Sequence, residues 1–133
     1  MSLLSDLGGY LDSQSASITL GTNFFYSTVP ESPDNCVALI EESGVSPMFT
    51  QGSNGLPVIE RPQVQILVRH TSYETGRSLI EDLYRILTQV TNQSISGTTY
   101  LRVAAVSSPV MIERDDNRRC IFTCNFDVQR LTP

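Results

Sequence analysis

Few residues in this chain could do chemistry. His70 is the only histidine, and Cys36, Cys120 and Cys124 are the only thiols. A histidine beside a cysteine would suit nucleophilic catalysis, with the imidazole as base and the thiolate as nucleophile. The local frames that such chemistry uses are missing. No nucleophile elbow, phosphate loop, HExxH helix or paired CxxC occurs. Cys120 and Cys124 suggest a metal pair until their spacing is turned into a distance. Residues four apart in a strand face the same way but lie roughly 13 Å apart. That is too far to clasp one tetrahedral ion or to form a disulfide. They read as small core residues, and His70 as a polar residue at a strand-to-helix junction. The chain is therefore not expected to be an enzyme, and no metal or cofactor is expected.

The acidic residues give no site either. Glu41-Glu42, Glu81-Asp82 and Asp115-Asp116 are adjacent pairs, and none fits an oxygen-ligand loop for calcium. Arg114, Arg118 and Arg119 surround Asp115 and Asp116, which makes a mixed-charge tip suited to a protein contact. Residues 43–62 hold three glycines and three prolines with no periodicity. Met48, Phe49 and Leu56 lie inside that stretch as apolar residues that either fold back onto the core or wait for a partner. Arg61 closes it.

These groups must be carried by a scaffold, and its centre is Arg61–Thr91. Val64, Ile66 and Val68 alternate with Gln63, Gln65, Leu67 and Arg69, the period of a strand with one buried face. A helix follows from Thr71 or Ser72. With Thr71 as N-cap, Glu74 stands at the third helical position, which predicts a capping box. Tyr73, Leu79, Ile80, Leu83, Ile86, Leu87 and Val90 form its apolar stripe. Glu74, Ser78, Glu81, Asp82 and Arg85 lie opposite, with Glu81 and Arg85 spaced as an i,i+4 pair.

The remaining segments read as follows. Residues 2–14 predict a short helix weakened by Gly8-Gly9. Asn23–Val29 and Cys36–Glu41 predict two strands joined as a hairpin across a Pro-rich turn. Asn92–Thr98 reads as a polar loop. Thr99–Val106, Val110–Arg114 and Arg119–Arg130 predict three strands, the last two a hairpin. In the last strand Cys120, Phe122, Cys124, Phe126 and Val128 face one way, and Ile121, Thr123, Asn125, Asp127 and Gln129 mostly face solvent. The fold expected is α+β. It has one mostly antiparallel, mixed sheet with the long helix on one face and a short N-terminal helix beside it. The whole of 1–133 is expected to be a single domain, with 44–62 a flexible loop or arm.

The 133 residues carry a formal net charge of −5, and every basic residue is arginine. That balance argues against general nucleic-acid binding, which needs a basic surface. The first twenty residues lack the basic and apolar regions of a signal peptide, and no stretch is long enough to span a membrane. The chain is expected to be made and kept in the cytoplasm, unless it leaves inside an assembly, with no membrane partner.

Three segments, taken in order, carry a resemblance. They are FYSTVPESPDNCVALIEESG (25–44), ERPQVQILVRHTSYETGRSLIEDLYRIL (60–87) and YLRVAAVSSPVMIERDDNRRCIFTCNFDVQR (100–130). Together they resemble the phage minor capsid or tail-completion family, whose members look like tail terminator proteins of long-tailed phages. The resemblance implies a structural virion protein of the tail and neck that forms a ring with itself, usually a hexamer. The ring would end tail-tube growth, touch the tail tube protein and the head-side connector, and let DNA pass through its lumen without specific binding. It implies no catalytic residues. Met48, Phe49, Leu56, Arg61, Arg114, Asp115, Asp116, Arg118 and Arg119 become the candidate contacts with neighbours. The alternatives are another neck protein, such as a head-closure or connector adaptor, and a cytosolic oligomeric binding module.

Overall fold

The structure is a computed structural model that describes residues 2–49 and 58–132. In chain order the elements are α1 (Leu3–Gln14), β1 (Phe24–Tyr26), β2 (Cys36–Glu42), β3 (Ile59–Glu60), β4 (Gln63–His70), α2 (Tyr73–Thr88), β5 (Thr91–Ile95), β6 (Thr98–Ala105), β7 (Val110–Arg114) and β8 (Cys120–Leu131). All eight strands join one sheet, ordered β1-β2-β4-β8-β6-β5. β4 takes most of one edge of β8, and β3 extends that side to Leu131. On the other edge β7 pairs with the first residues of β8, and β6 with the later ones. Only β1 and β2 run parallel. The expected α+β layout, with a mixed sheet and two helices, is the one found.

The face under α2 is built by the predicted alternation. Val37, Val68 and Phe122 form one row across the sheet, and Leu39, Ile66 and Cys124 the next, all buried. Ile80, Leu83 and Leu87 of α2 are buried above them. Gly76 sits where the helix comes closest to the sheet. A Cβ there would stand 2.5 Å from Phe122 Cε1 and 2.9 Å from His70 Cβ. α1 packs against α2 and reaches both β2 and β5, so the sheet curls around the two helices. Gly8 plays the matching part in α1, where a side chain would run into the Tyr26 ring. The Gly8-Gly9 pair is thus explained at its first member by close packing, which offsets the helix propensity it costs.

Several expectations are corrected in detail. β1 is not the first half of a hairpin. Residues 27–35 carry the chain back so that Phe24 pairs with Val37 in parallel. The strand is only three residues long, so a loop spans the return that longer parallel strands need a helix to make. Asn92–Thr98 is not a loop. Thr91–Ile95 pairs with β6 around a tight turn in which Ser96 and Gly97 both take positive φ (52° and 85°), the geometry of a two-residue hairpin. The cap of α2 is Ser72, whose Oγ accepts from Thr75 N, and not Thr71. The capping box is instead on α1, between Ser2 and Ser5. Glu81 pairs with Arg77 and Arg85 with Asp82, because Arg77 competes for Glu81 from the preceding turn and Asp82 lies as close to Arg85 along the helix as Glu81 does. On the far face of β8, Ile121 and Thr123 are buried. Ile121 lies beside Arg69, which is itself covered by the 30–34 loop.

One buried polar chain ties α1 to the sheet. The Tyr100 hydroxyl donates to Asp6 Oδ2 at 2.7 Å, Arg130 Nη1 lies 3.4 Å from that hydroxyl, and Arg130 Nε donates to Glu60 at 3.0 Å. Burial, followed by the Asp6 hydrogen bond, pushes the Tyr100 hydroxyl up to about 12. Asp6 Oδ1 is buried without a partner.

Two predictions follow from this packing. In an exposed helix Gly→Ala gains about 1 kcal/mol, but Gly76→Ala is expected to lose at least about 1 kcal/mol, since overpacking costs about 1–3. Urea unfolding gives the sign, and a more stable variant would contradict the close approach. Tyr100→Phe leaves a buried carboxylate with no neutral donor on either oxygen and is expected to cost about 1–3 kcal/mol. A change within a few tenths of a kcal/mol would show that Asp6 is satisfied in another way.

Candidate assembly surfaces

The nine predicted contact residues fall into two groups. Met48, Phe49 and Arg61 belong to an arm at the Leu131 end of β8. Arg114, Asp115, Asp116, Arg118 and Arg119 belong to a hairpin tip at the Cys120 end. Leu56 lies in residues 50–57, outside the described residues. β8 is twelve residues long, so the groups stand roughly 35–40 Å apart.

The arm is held by short-range backbone pairing. Val45 N–H donates to Arg61 O (3.1 Å), Met48 N–H to Ile59 O (2.8 Å) and Val58 N–H to Met48 O (2.8 Å). Arg61 Nε donates to Ser46 O at 2.7 Å, so its side chain braces the arm from within. Gly44 passes so close to the backbone of Arg61 and Pro62 that any Cβ would collide with it. Met48 and Phe49 remain 46% and 56% exposed, with Val45 beside them. Of the two options left by the sequence, these side chains do not fold back onto the core.

The tip is organised by one carboxylate. Asp115 Oδ1 accepts from the backbone N–H of Asn117 (3.0 Å) and of Arg119 (2.9 Å), and Oδ2 accepts from Arg119 Nε at 2.7 Å. Arg118 takes φ 62° to close the turn. The Arg119 guanidinium also donates to Glu31 O, Asp34 and the Glu31 carboxylate. Arg69 donates to the carbonyls of Pro30, Pro33 and Asp34. Both arginines are only 4% exposed. They clamp the 30–34 loop onto the end of the sheet, and their planar, multi-donor heads suit that task as a lysine would not. Asp115 and Arg119 are therefore engaged inside the chain, whereas Arg114, Asp116 and Arg118 point to solvent.

His70 and Cys36 do approach one region. Both line a cavity of about 240 Å³ with Asn23, Asn35, Ser78 and Asp82. The chemistry there is subdued. His70 Nδ1 accepts from Ser72 N–H at 3.0 Å, and burial lowers its pKa. Burial also raises the Cys36 thiol, with Arg69 and Arg119 opposing, and pushes Cys124 up to about 11. Cys36 and Cys124 are thus held protonated, and His70 Nδ1 is committed as an acceptor at the start of α2.

Reading from sequence missed one surface. Val106, Val110 and Ile112 are 54%, 49% and 54% exposed along β6–β7. Among the described residues β7 pairs only with β8, which leaves its other edge open there. The signal was present in V-S-S-P-V-M-I, four apolar residues around a Pro break. Without the strand order, an edge strand could not be told from an inner one.

The tip gives a pH prediction. The Arg119 backbone N–H, with further help from its side chain and from Asn117, holds Asp115 below its ordinary value of 3.8. A depressed carboxylate contributes stability that is present above the unfolded value and lost as pH falls through the native one. Protection of the Asn117 and Arg119 amides, taken relative to their intrinsic exchange rates at each pH, is expected to fall as pH drops from about 6 through the carboxylate range, and Asp115→Asn is expected to show the lower protection already at neutral pH. Equal protection in both proteins would contradict the role given to Asp115.

Comparison with known proteins places this architecture. A family model described as bacteriophage tail terminator protein matches residues 3–132. No curated protein matches the chain by sequence. Twelve chains of solved structures match it. One, from a structure described as "Virion of native gene transfer agent (GTA) particle", superposes with a TM-score of 0.64 at 13% identity, covering 98% of this chain and 96% of its own. At that identity the likeness is one of fold. The family match spans nearly all the sequence, and with it the segments that carried the resemblance, and so the chain belongs to the bacteriophage tail terminator family, structural proteins of the phage tail.

Proposed function

We propose that this chain, folded as one domain, assembles with itself into a closed ring, a hexamer by the resemblance, at the head-proximal end of the tail. The ring ends growth of the tail tube, joins it to the head-side connector and lets DNA pass through its lumen. The observation that carries this reading is the family match over residues 3–132. The geometry is consistent with it. A ring subunit needs separate contact elements for its neighbours in the ring and for an axial partner on a stiff body, and the arm and the tip stand at opposite ends of β8. The net charge of −5 suits a lumen through which DNA slides without being held. Assembly takes place in the host cytoplasm, and the product resides in the virion. Among the described residues no helix is long and apolar enough to cross a membrane. A head-closure or connector adaptor would use the same two-ended body, and an oligomeric binding module in the cytosol the same surfaces.

Electron microscopy of a phage lacking this protein separates these readings. Tails of uncontrolled length, free of heads, are expected. Tails of normal length that fail to join heads would favour the adaptor, and normal virions would sink all the phage-neck readings.

A further inference from the structure

The open edge of β6–β7 and the arm are complementary, and they belong to opposite sides of the molecule. β5 stops pairing with β6 at Arg102. Beyond it, Val103 N–H turns outward to Val90 O, while Val106 N–H turns inward to Asn125 O. By the alternation of an antiparallel strand, the N–H and C=O of Ala105 face outward, and among the described residues no strand meets them. A groove of about 410 Å³ runs beside this edge, with Tyr84 and Thr88 as one wall and Leu101–Ala105 as its floor. Past the Pro109 bend the edge continues along β7 with Val110 and Ile112 exposed. An open apolar edge is what folded chains normally cover or blunt. Here the blunting consists of a bulge at Ile112, the proline before it, whose carbonyl accepts from Arg77, and the charges of Glu113 and Arg114 at the far end, which leaves Ala105 to Ile112 largely apolar and open.

The arm has the features that this edge lacks. Its root is Glu41-Glu42, and neither carboxylate has an ion-pair partner among the described residues. Arg102 at the start of the open edge is likewise exposed and unpaired, as is Arg114 at its far end, where Glu113 is the one opposing charge. Val45, Met48 and Phe49 follow the glutamates as exposed apolar side chains. An extended Glu42–Phe49 spans about 23 Å and the run from Arg102 to Val110 about 26 Å, so the charges and the apolar residues can be matched together. The arm leaves the sheet on the β4 side of β8, and the open edge lies on the β6 side. A chain cannot cover its own edge with its own arm.

We propose that the Val103–Arg114 edge of one copy receives the Glu41–Phe49 arm of a second copy, with Glu41 or Glu42 against Arg102 and Met48 and Phe49 against Val106 and Val110. The contact joins two different surfaces, so it is heterologous and propagates until a rotation closes it. It rests on the ring reading and names the surfaces that build the ring.

The test uses two full-length variants whose changes lie on exposed side chains. The edge variant carries Val106→Asp and Ile112→Asp, and the arm variant Met48→Asp and Phe49→Asp. Circular dichroism first checks that each is folded. Light scattering after gel filtration is expected to show wild-type rings and each variant alone as a monomer. Mixed one to one, the variants are expected to stop at a dimer, because each keeps one working surface. Arg102→Glu is expected to weaken assembly about tenfold, and Glu41→Arg with Glu42→Arg in the same chain to restore it. Rings formed by either variant alone, or a mixture that stays monomeric, would overturn the proposed contact while leaving the ring in place. A wild-type chain that is monomeric at every concentration would overturn the ring reading, and the contact with it.

Discussion

The structure depends on one strand being used on every side. β8 buries Cys120, Phe122, Cys124, Phe126 and Val128 beneath the helices, and both of its edges are paired. Four of the other strands bond to it directly. A slip of one residue in β8 would turn all five side chains out at once, so its alternation fixes the register of β3, β4, β6 and β7 together. α2 can approach only because Gly76 leaves room over Phe122. Core and register are therefore a single constraint, set by a twelve-residue pattern and one missing side chain.

Polar groups finish what the apolar face begins. The 30–34 loop has no apolar run to hold it, and Arg69 and Arg119 hold it through backbone carbonyls and carboxylates. Each guanidinium is buried with several acceptors around it, the condition under which a buried cation is tolerated. At the other end Asp6, Tyr100, Arg130 and Glu60 form a chain that fixes α1 to the sheet. These networks use arginine where reach and planarity matter, which gives a structural purpose to part of the lysine-free composition.

Much of this was legible in the sequence, and the limits have physical causes. The core faces of β4, β8 and α2 follow from side-chain period alone, since burial on one side leaves a mark every second or every third to fourth residue. The strand Thr91–Ile95 was not legible, because its residues are polar and its pairing is written only in the Ser96-Gly97 turn. The direction of β1 was not legible either, as three residues carry no information about which way a neighbour runs. For the contact residues, types and clusters could be read, but exposure could not. Arg119 and Asp115 looked like surface charges and are the inner part of the tip, whereas the Val106–Ile112 stretch was read as strand with no sign that its edge is open.

The separation of the arm from the hairpin tip has a consequence for how such a chain can change over time. Substitutions at sites farther apart than about 10 Å, with no shared partners, act almost independently. The two groups are joined through β2, β4 and β8, whose inner faces are fixed by burial. A lineage could therefore exchange what it recognises at one end without disturbing the other, provided that the alternation of β8 is kept. Exchanges that keep the Asp115–Arg119 pair and the Arg61 brace intact would be tolerated for the same reason, whereas those inside β8 would carry mismatched registers into the core.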